Sequence, residues 1–266
     1  MGNRPNLPTD ELSNLPTISV ITICKNSSAT IEQTISSVIS QKTASVEYII
    51  IDGDSNDGTQ GIVLSFGDKI DVFISEPDDG IADAFNKGIA RAKGEVISLI
   101  NSDDVLLPGA IKNIQRLFVD YPDAQVIHGD ILLYKGNSFV KQVKPADKWW
   151  YPWRLVLFNH PATFVRKEVY CQCDLFSCDY RIAMDVEIFL RWIKAGVKIV
   201  YYPGPFVIMH YGGLSDRHAF AGYREVRTAL LEKGFSRFLT DIQYFCKFII
   251  HSIGRVQSAI LVHLRN

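Results

Sequence analysis

The chain has 266 residues, 47% of them hydrophobic, and a formal net charge of −1. That is enough apolar side chain for one sizeable core. The even balance of charge leaves no general basic footprint for nucleic acid, so a nucleic-acid-binding function is not expected.

Residues 1–16 hold no apolar run of the kind a signal peptide needs, and Asn6 breaks the myristoylation pattern, so a mobile arm is expected there. Ile18 to Ile23 is a β-branched run that predicts a buried strand. Ile31, Ile35, Val38 and Ile39 then recur at helical spacing, with Ser28 or Thr30 as the cap. A second strand is expected over Glu47–Ile51, a helix from about Thr59, and a third strand over Asp71–Ser75. Gly80 to Lys93 reads as a helix closed by Gly94. The run Val96–Ile100 predicts another strand, followed by a helix over 108–120 and a strand at Gln125–His128. Strand and helix thus alternate from residue 17 to 130, the pattern of a mostly parallel α/β sheet with right-handed crossovers.

Three expected strand ends carry acids: Asp52/Asp54, Asp78/Asp79 with Asp83 beyond, and Asp103/Asp104 in Asn101-Ser102-Asp103-Asp104. In a parallel sheet those ends share one edge, where ligands bind. Adjacent carboxylates repel unless a cation lies beside them, and hard divalent cations take carboxylate and phosphate oxygens. A metal–diphosphate site is one reading; a polar turn leading to Pro108 is the other. Neither G-x-G-x-x-G after the first strand nor G-x-x-x-x-G-K-[ST] occurs, so a nucleotide here would be held by carboxylates and metal.

The second half is less regular. Lys148 to Trp153 is an aromatic cluster, read as a sugar or lipid platform or as a core plug. Ala183 to Trp192 predicts a helix with Asp185 in its first turn, where a carboxylate serves as a cap or as a functional acid. A strand over Lys198–Tyr202 and a loop from His210 follow. Cys171, Cys173 and Cys178 lie close together, but no further His or Cys completes a zinc site, so free thiols and a reducing compartment are expected. From Arg224 onward seven Lys/Arg face three Asp/Glu, and Ile242, Phe245, Ile249, Ile253, Val256, Ile260 and Leu264 form a helical stripe. Lys247 and Arg255 interrupt it, so it is too short an apolar run to span a membrane. Two fates are open: a basic amphipathic helix on an anionic membrane surface, or a helix packed on the domain or a second subunit.

These motifs, in this order, resemble the family 2 glycosyltransferases: ISVITICKN at 18–26, TISSVISQ at 34–41, DGDSNDGT at 52–59, SEPDDGIADAFNKGI at 75–89, NSDD at 101–104, HPATFVR at 160–166, AMDVEIFLR at 183–191 and GGLS at 212–215. The resemblance implies a GT-A fold over residues 17–222, a Rossmann-like, mostly parallel central sheet flanked by helices, with residues 223–266 as a C-terminal helical extension. It implies inverting transfer of one hexose or N-acetylhexosamine from a nucleotide-diphosphate sugar, a UDP-sugar foremost, to a lipid-diphosphate-linked saccharide in surface polysaccharide synthesis. It places the protein at the cytoplasmic face of the inner membrane. Carried over, Asp52 holds the base or ribose, Asp83 faces the donor sugar and Asp103 contacts the ribose or metal. Asp104 binds Mn²⁺ or Mg²⁺. From the residues alone, His210, a lone His beside two Gly, reads as buried and inert, as a further metal ligand or as a phosphate contact, and His160 is a candidate contact to the acceptor. Asp185 is the general base. Met184 stands where an acid often precedes that base, and Ile188 stands where processive synthases have Gln, which favours single-sugar transfer. A non-catalytic sugar-nucleotide or glycan-binding protein, or a scaffold on the same fold, is the alternative.

Overall fold

The structure is a computed structural model that describes residues 15–145 and 158–249. The arm before residue 15, the aromatic cluster at Lys148–Trp153 and the end of the tail lie outside the described residues. Pro16 is buried, and its carbonyl accepts a 2.8 Å hydrogen bond from Gln115.

The elements in order are β1 (Ile18–Cys24), α1 (Ile31–Ile39), β2 (Val46–Asp52), α2 (Thr59–Ser65), β3 (Val72–Ser75), α3 (Ile81–Arg91), β4 (Val96–Asn101), β5 (Val105–Leu106), α4 (Ala110–Asp120), β6 (Val126–Lys135), β7 (Ser138–Val143), β8 (Thr163–Arg166), α5 (Lys167–Gln172), α6 (Met184–Lys194), β9 (Ile199–His210), α7 (Leu214–Arg217) and α8 (Ala219–Glu232). A further helix, α9, runs over 237–249. Among the described residues the strands form one sheet in the order β3-β2-β1-β4-β8-β6-β9-β5, with β7 on β6.

The first half of this sheet is parallel, as the alternation predicts: β1 pairs in parallel with β2 and β4, and β2 with β3. Both faces are covered, which is why these strands read as unbroken apolar runs. Along β1, Ile21 and Ile23 face the layer of α3 and α6, while Ile18 and Val20 face that of α1 and α4. The second half departs from the expectation. β8 inserts antiparallel between β4 and β6, and no strand was expected at that position. β6 and β9 then pair in parallel and run far longer than their apolar cores, so His210 ends a strand instead of opening a loop. A pairing between segments so distant in sequence leaves no local signature.

Gly94 does not close α3, which ends at Arg91. A Cβ on Gly94 would lie 2.5 Å from the Ser19 amide nitrogen, so this glycine lets the chain pass tightly against β1.

α8 straddles residue 223, the expected edge of the extension. Its Val226, Ala229 and Leu230 are buried in the same layer as α6. Buried charge joins the two helices: Glu187 accepts three Arg191 hydrogen bonds at 2.8–3.0 Å and pairs with Lys233 at 2.8 Å. Arg191 also donates to the carbonyls of Cys173 and Leu175, fixing the loop before α6. Glu187→Gln leaves two cations short of a partner and is expected to cost about 3–5 kcal/mol, the usual cost of breaking a buried pair. A urea-unfolding midpoint unchanged from wild type would contradict this.

Candidate active site

Register fixes the edge on which the acids meet. Cys24 stands opposite Asp52, Asp52 opposite Ser75, and Ile23 opposite Asn101. The carboxyl ends of β1 to β4 are therefore level, and the loops after them are neighbours. Ser102 donates a 2.7 Å hydrogen bond to the Ser27 hydroxyl, which ties the β4 loop to the β1 loop. The Asn26 amide donates to Ser55 at 2.8 Å, and the Ser28 amide to Asp57 at 3.0 Å, which ties the β1 loop to the β2 loop. Gly53 lies under Asp78: a Cβ there would be 2.1 Å from the Asp78 carboxyl oxygen, so any side chain at 53 would displace that acid.

Within this edge the acids divide by how much of their bonding capacity is used. Asp52 is fully buried, and its carboxylate accepts from the Ser55 amide (3.0 Å), the Ser55 hydroxyl, the Ser75 hydroxyl (2.7 Å) and the Cys24 thiol (3.4 Å). Burial works against its charge, but these hydrogen bonds prevail and hold it below the usual carboxylate range. Hydrogen bonds from Thr59 and Ser28 hold Asp57 well below that range. Asp83 pairs with Lys87 at 3.2 Å and accepts the Asp79 amide at 3.2 Å, bracing the loop before α3.

Asp103 and Asp104, adjacent in the chain, differ in exposure. Asp104 is 1% exposed and turned inward, where it accepts the Asn101 side-chain amide at 2.9 Å and the Asn101 backbone amide at 3.3 Å. Burial, and then the neighbouring Asp103 charge, push its carboxyl up to about 8. Asp103 is the partly exposed member, and among the described residues its carboxylate makes no hydrogen bond to protein. His210 reaches the same loop from the end of β9, with Nδ1 3.0 Å from the Asp103 carbonyl. A carbonyl only accepts, so Nδ1 donates this bond and Nε2 is the ring nitrogen left for a ligand. Among the described residues no three His, Cys, Asp or Glu side chains converge on a metal position. A cation completing its shell with diphosphate oxygens needs only one or two protein ligands, and Asp103 with Nε2 of His210 fits that sparse set.

Asp185 lies one residue inside the start of α6, and its carboxylate accepts the Val186 amide at 2.8 Å. It is not the cap. Glu225 reaches across from α8 and accepts the Ile182 and Ala183 amides, each at 2.8 Å. Burial raises the Asp185 carboxyl to about 6, opposed by backbone hydrogen bonds and reinforced by the Glu225 charge. Glu187, the neighbouring acid, is consumed by Arg191 and Lys233. His160 sits between α3 and α6, its ring 5.2 Å from Phe85, 5.9 Å from Phe176 and 6.4 Å from Phe189. Its Nε2 is buried without a partner, and burial lowers the imidazole to about 4, so the ring is neutral. Asn86 exchanges hydrogen bonds of 2.8 and 3.0 Å with the Phe176 backbone, joining the Asp83 helix to the loop before α6. Nothing local in the sequence pointed to Glu225 or Asn86, because each acts on a segment at least 40 residues away.

The model of the glycosyl transferase family 2 matches residues 19–180, more than half of the chain. The chain belongs to glycosyl transferase family 2. An uncharacterized glycosyltransferase of Rickettsia typhi is 25% identical over 197 residues, covering 70% of this chain and 61% of the relative. A PGL/p-HBAD biosynthesis glycosyltransferase of Mycobacterium bovis is 22% identical over 212 residues, covering 76% and 80%. The fold matches that of S. aureus TarS at a TM-score of 0.65, with 18% identity over 88% of this chain and 43% of TarS. It matches the mannosyltransferase PcManGT of Pyrobaculum calidifontis, solved with GDP-Man and Mn²⁺, at 0.61, with 14% identity over 95% and 81%. The chain thus spans less than two thirds of the Rickettsia relative and under half of TarS. The GT-A architecture expected from the motifs is the one these folds share.

Proposed function

We propose that the chain transfers a single sugar, with inversion, from a nucleotide-diphosphate sugar to a saccharide carried on a lipid diphosphate, in surface polysaccharide synthesis at the cytoplasmic face of a membrane. A UDP-sugar is the foremost donor, since a structure of TarS residues 1–349 in complex with UDP-GlcNAc shares the fold at a TM-score of 0.60. The observation that carries the reading is the division among the partly or fully buried acids. Asp52, Asp83, Asp104 and Glu187 are spent on the protein, while Asp103 and Asp185 keep capacity for a ligand.

In this reading the saturated Asp52 shapes the loop against which the nucleoside rests, and Asp83 braces the donor-sugar side. Asp103 and Nε2 of His210 hold the divalent cation, Mn²⁺ or Mg²⁺. When bound, that cation supplies charge stabilisation for the departing diphosphate. Asp185 takes the proton from the acceptor hydroxyl, and a base held near the operating pH suits that task. In this reading His160, held neutral, supplies a hydrogen bond on the acceptor side. Calorimetry against a panel of nucleotide sugars, with and without Mn²⁺, tests the reading. Binding of none of them would defeat it, and binding without release of nucleoside diphosphate in the presence of acceptor extract would mark a non-catalytic binder.

The base must be ionised, so kcat/KM is expected to rise with pH through about 6, the Asp185 value, falling about tenfold between pH 7 and pH 5. The Glu225 charge raises Asp185, so Glu225→Gln is expected to move this limb to lower pH. The amide oxygen still accepts the Ile182 and Ala183 amides, and the cap survives. A limb that stays in place would leave Glu225 with a capping role alone.

A further inference from the structure

One side of α1 is polar where its surroundings are apolar. Ile31, Ile35 and Val38 are buried in the layer of α1 and α4, and Thr34 among them is also 0% exposed. A valine would fill the same place with no hydroxyl to satisfy. The partner of that hydroxyl lies 70 residues on: Thr34 donates to the Asp104 carbonyl at 2.8 Å. Ser37, one turn later, accepts the Leu106 amide at 3.1 Å and donates to the Thr34 carbonyl at 2.7 Å. Gln41, just past the helix, accepts the Ile111 amide at 3.3 Å and donates to the Ser37 carbonyl at 2.9 Å. Steps of three and four residues keep such side chains on one side of a helix. The three therefore form a ladder along the segment after β4, with rungs at 104, 106 and 111.

The ladder starts beside Asp103. Ser102 before it is bonded to Ser27, Asp104 after it is bonded to Thr34, and its own carbonyl lies 3.0 Å from Nδ1 of His210. Ser27 belongs to the turn that opens α1, because its carbonyl accepts the Thr30 and Ile31 amides at 3.0 Å. One helix with its opening turn thus holds both neighbours of Asp103, and β9 holds the carbonyl from the other side. Three anchors surround a side chain whose carboxylate makes no hydrogen bond to protein among the described residues. A ligand to a cation needs this combination. Its backbone must be held to within about 0.5 Å by bonds one shell out, while its own oxygens stay unspent. Satisfying a buried carbonyl is the lesser task that the Thr34 bond also performs; metal affinity separates the two.

We propose that Thr34, backed by Ser37 and Gln41, is a positioning residue that sets the Asp103 carboxylate for the divalent cation. The proposal rests on the reading of Asp103 as a cation ligand and names what aims it.

Titration of Mn²⁺ against the full chain, with UDP or GDP present and free Mn²⁺ read by electron paramagnetic resonance, tests this without any sugar transfer. Thr34→Val keeps the volume and removes the bond. It is expected to weaken Mn²⁺ binding about tenfold or more, the range found for outer-shell partners of a metal. Thr34→Ser restores the hydroxyl and is expected to bind Mn²⁺ as wild type does. Val63→Ala on α2 opens a cavity in the same layer, so it loses stability through packing alone and is expected to keep the wild-type affinity. The proposal is overturned if Thr34→Val binds Mn²⁺ like wild type, if Thr34→Ser is as weak as Thr34→Val, or if Val63→Ala weakens Mn²⁺ as much. Should Thr34→Val not fold, the half-buried Ser37 carries the test: Ser37→Ala is expected to weaken Mn²⁺ in the same direction, and unchanged affinity there overturns the proposal. If wild type takes up no Mn²⁺ beside either nucleotide, the cation reading of Asp103 falls and this proposal with it. Wild-type uptake that Thr34→Val retains defeats this proposal alone.

Discussion

Asp185→Asn is expected to abolish most transfer, by on the order of 10²–10⁴-fold, while donor affinity stays at the wild-type level. The amide keeps the shape of the side chain and its hydrogen bond from the Val186 amide, but it cannot accept a proton from a hydroxyl. The cap of α6 is untouched, because Glu225 supplies it. The substitution therefore isolates the chemistry from the fold. The measurement is transfer rate with a competent acceptor extract beside donor affinity by calorimetry. A near-normal rate would remove Asp185 from the reaction. Since Glu187 is fully paired, the search would then pass to His160 and His210. Loss of donor affinity instead would move Asp185 into the donor site.

The second large effect is expected at Asp103. Asp103→Asn removes the partly exposed carboxylate of the pair and is expected to weaken Mn²⁺-supported donor binding at least about 10-fold to 100-fold, the range seen even for outer-shell partners of a metal. Asp104→Asn is expected to behave differently. Its side chain is 1% exposed and bonded to Asn101. An amide oxygen can keep those bonds, and the amide N–H₂ stands where the raised carboxyl carries its own proton. Stability is therefore expected to fall by at most about 1 kcal/mol, with donor affinity in the folded protein unchanged. Thermal shift on both variants, with and without Mn²⁺ and a nucleotide sugar, reads the contrast. If Asp104→Asn loses Mn²⁺-dependent binding and Asp103→Asn keeps it, the two roles are reversed.

By itself the sequence determined the parallel half of the sheet. The apolar runs at 18–23, 47–51 and 96–100 became β1, β2 and β4, because a strand covered on both faces must be apolar throughout. It also determined that Asp52 and Asp103 stand on one edge, since parallel strands end on the same side. The helix that carries Asp185 followed from its own spacing.

What only the tertiary structure decided lies in contacts between distant segments. β8 enters between β4 and β6, and β9 runs on to bring His210 to the Asp103 carbonyl. Two adjacent aspartates are alike in sequence, and the turn closed by Asn101 decides that Asp104 points inward. Glu225 caps a helix about 40 residues before it. In α9 periodicity revealed the stripe but not its direction. The side that packs is chosen by what α8 offers: Arg227 pairs with Asp241 and Phe220 meets Phe248, so Thr240 and Gln243 are buried while Phe245 and Ile249 stay exposed. Periodicity is a property of one segment; which face a segment buries is a property of two.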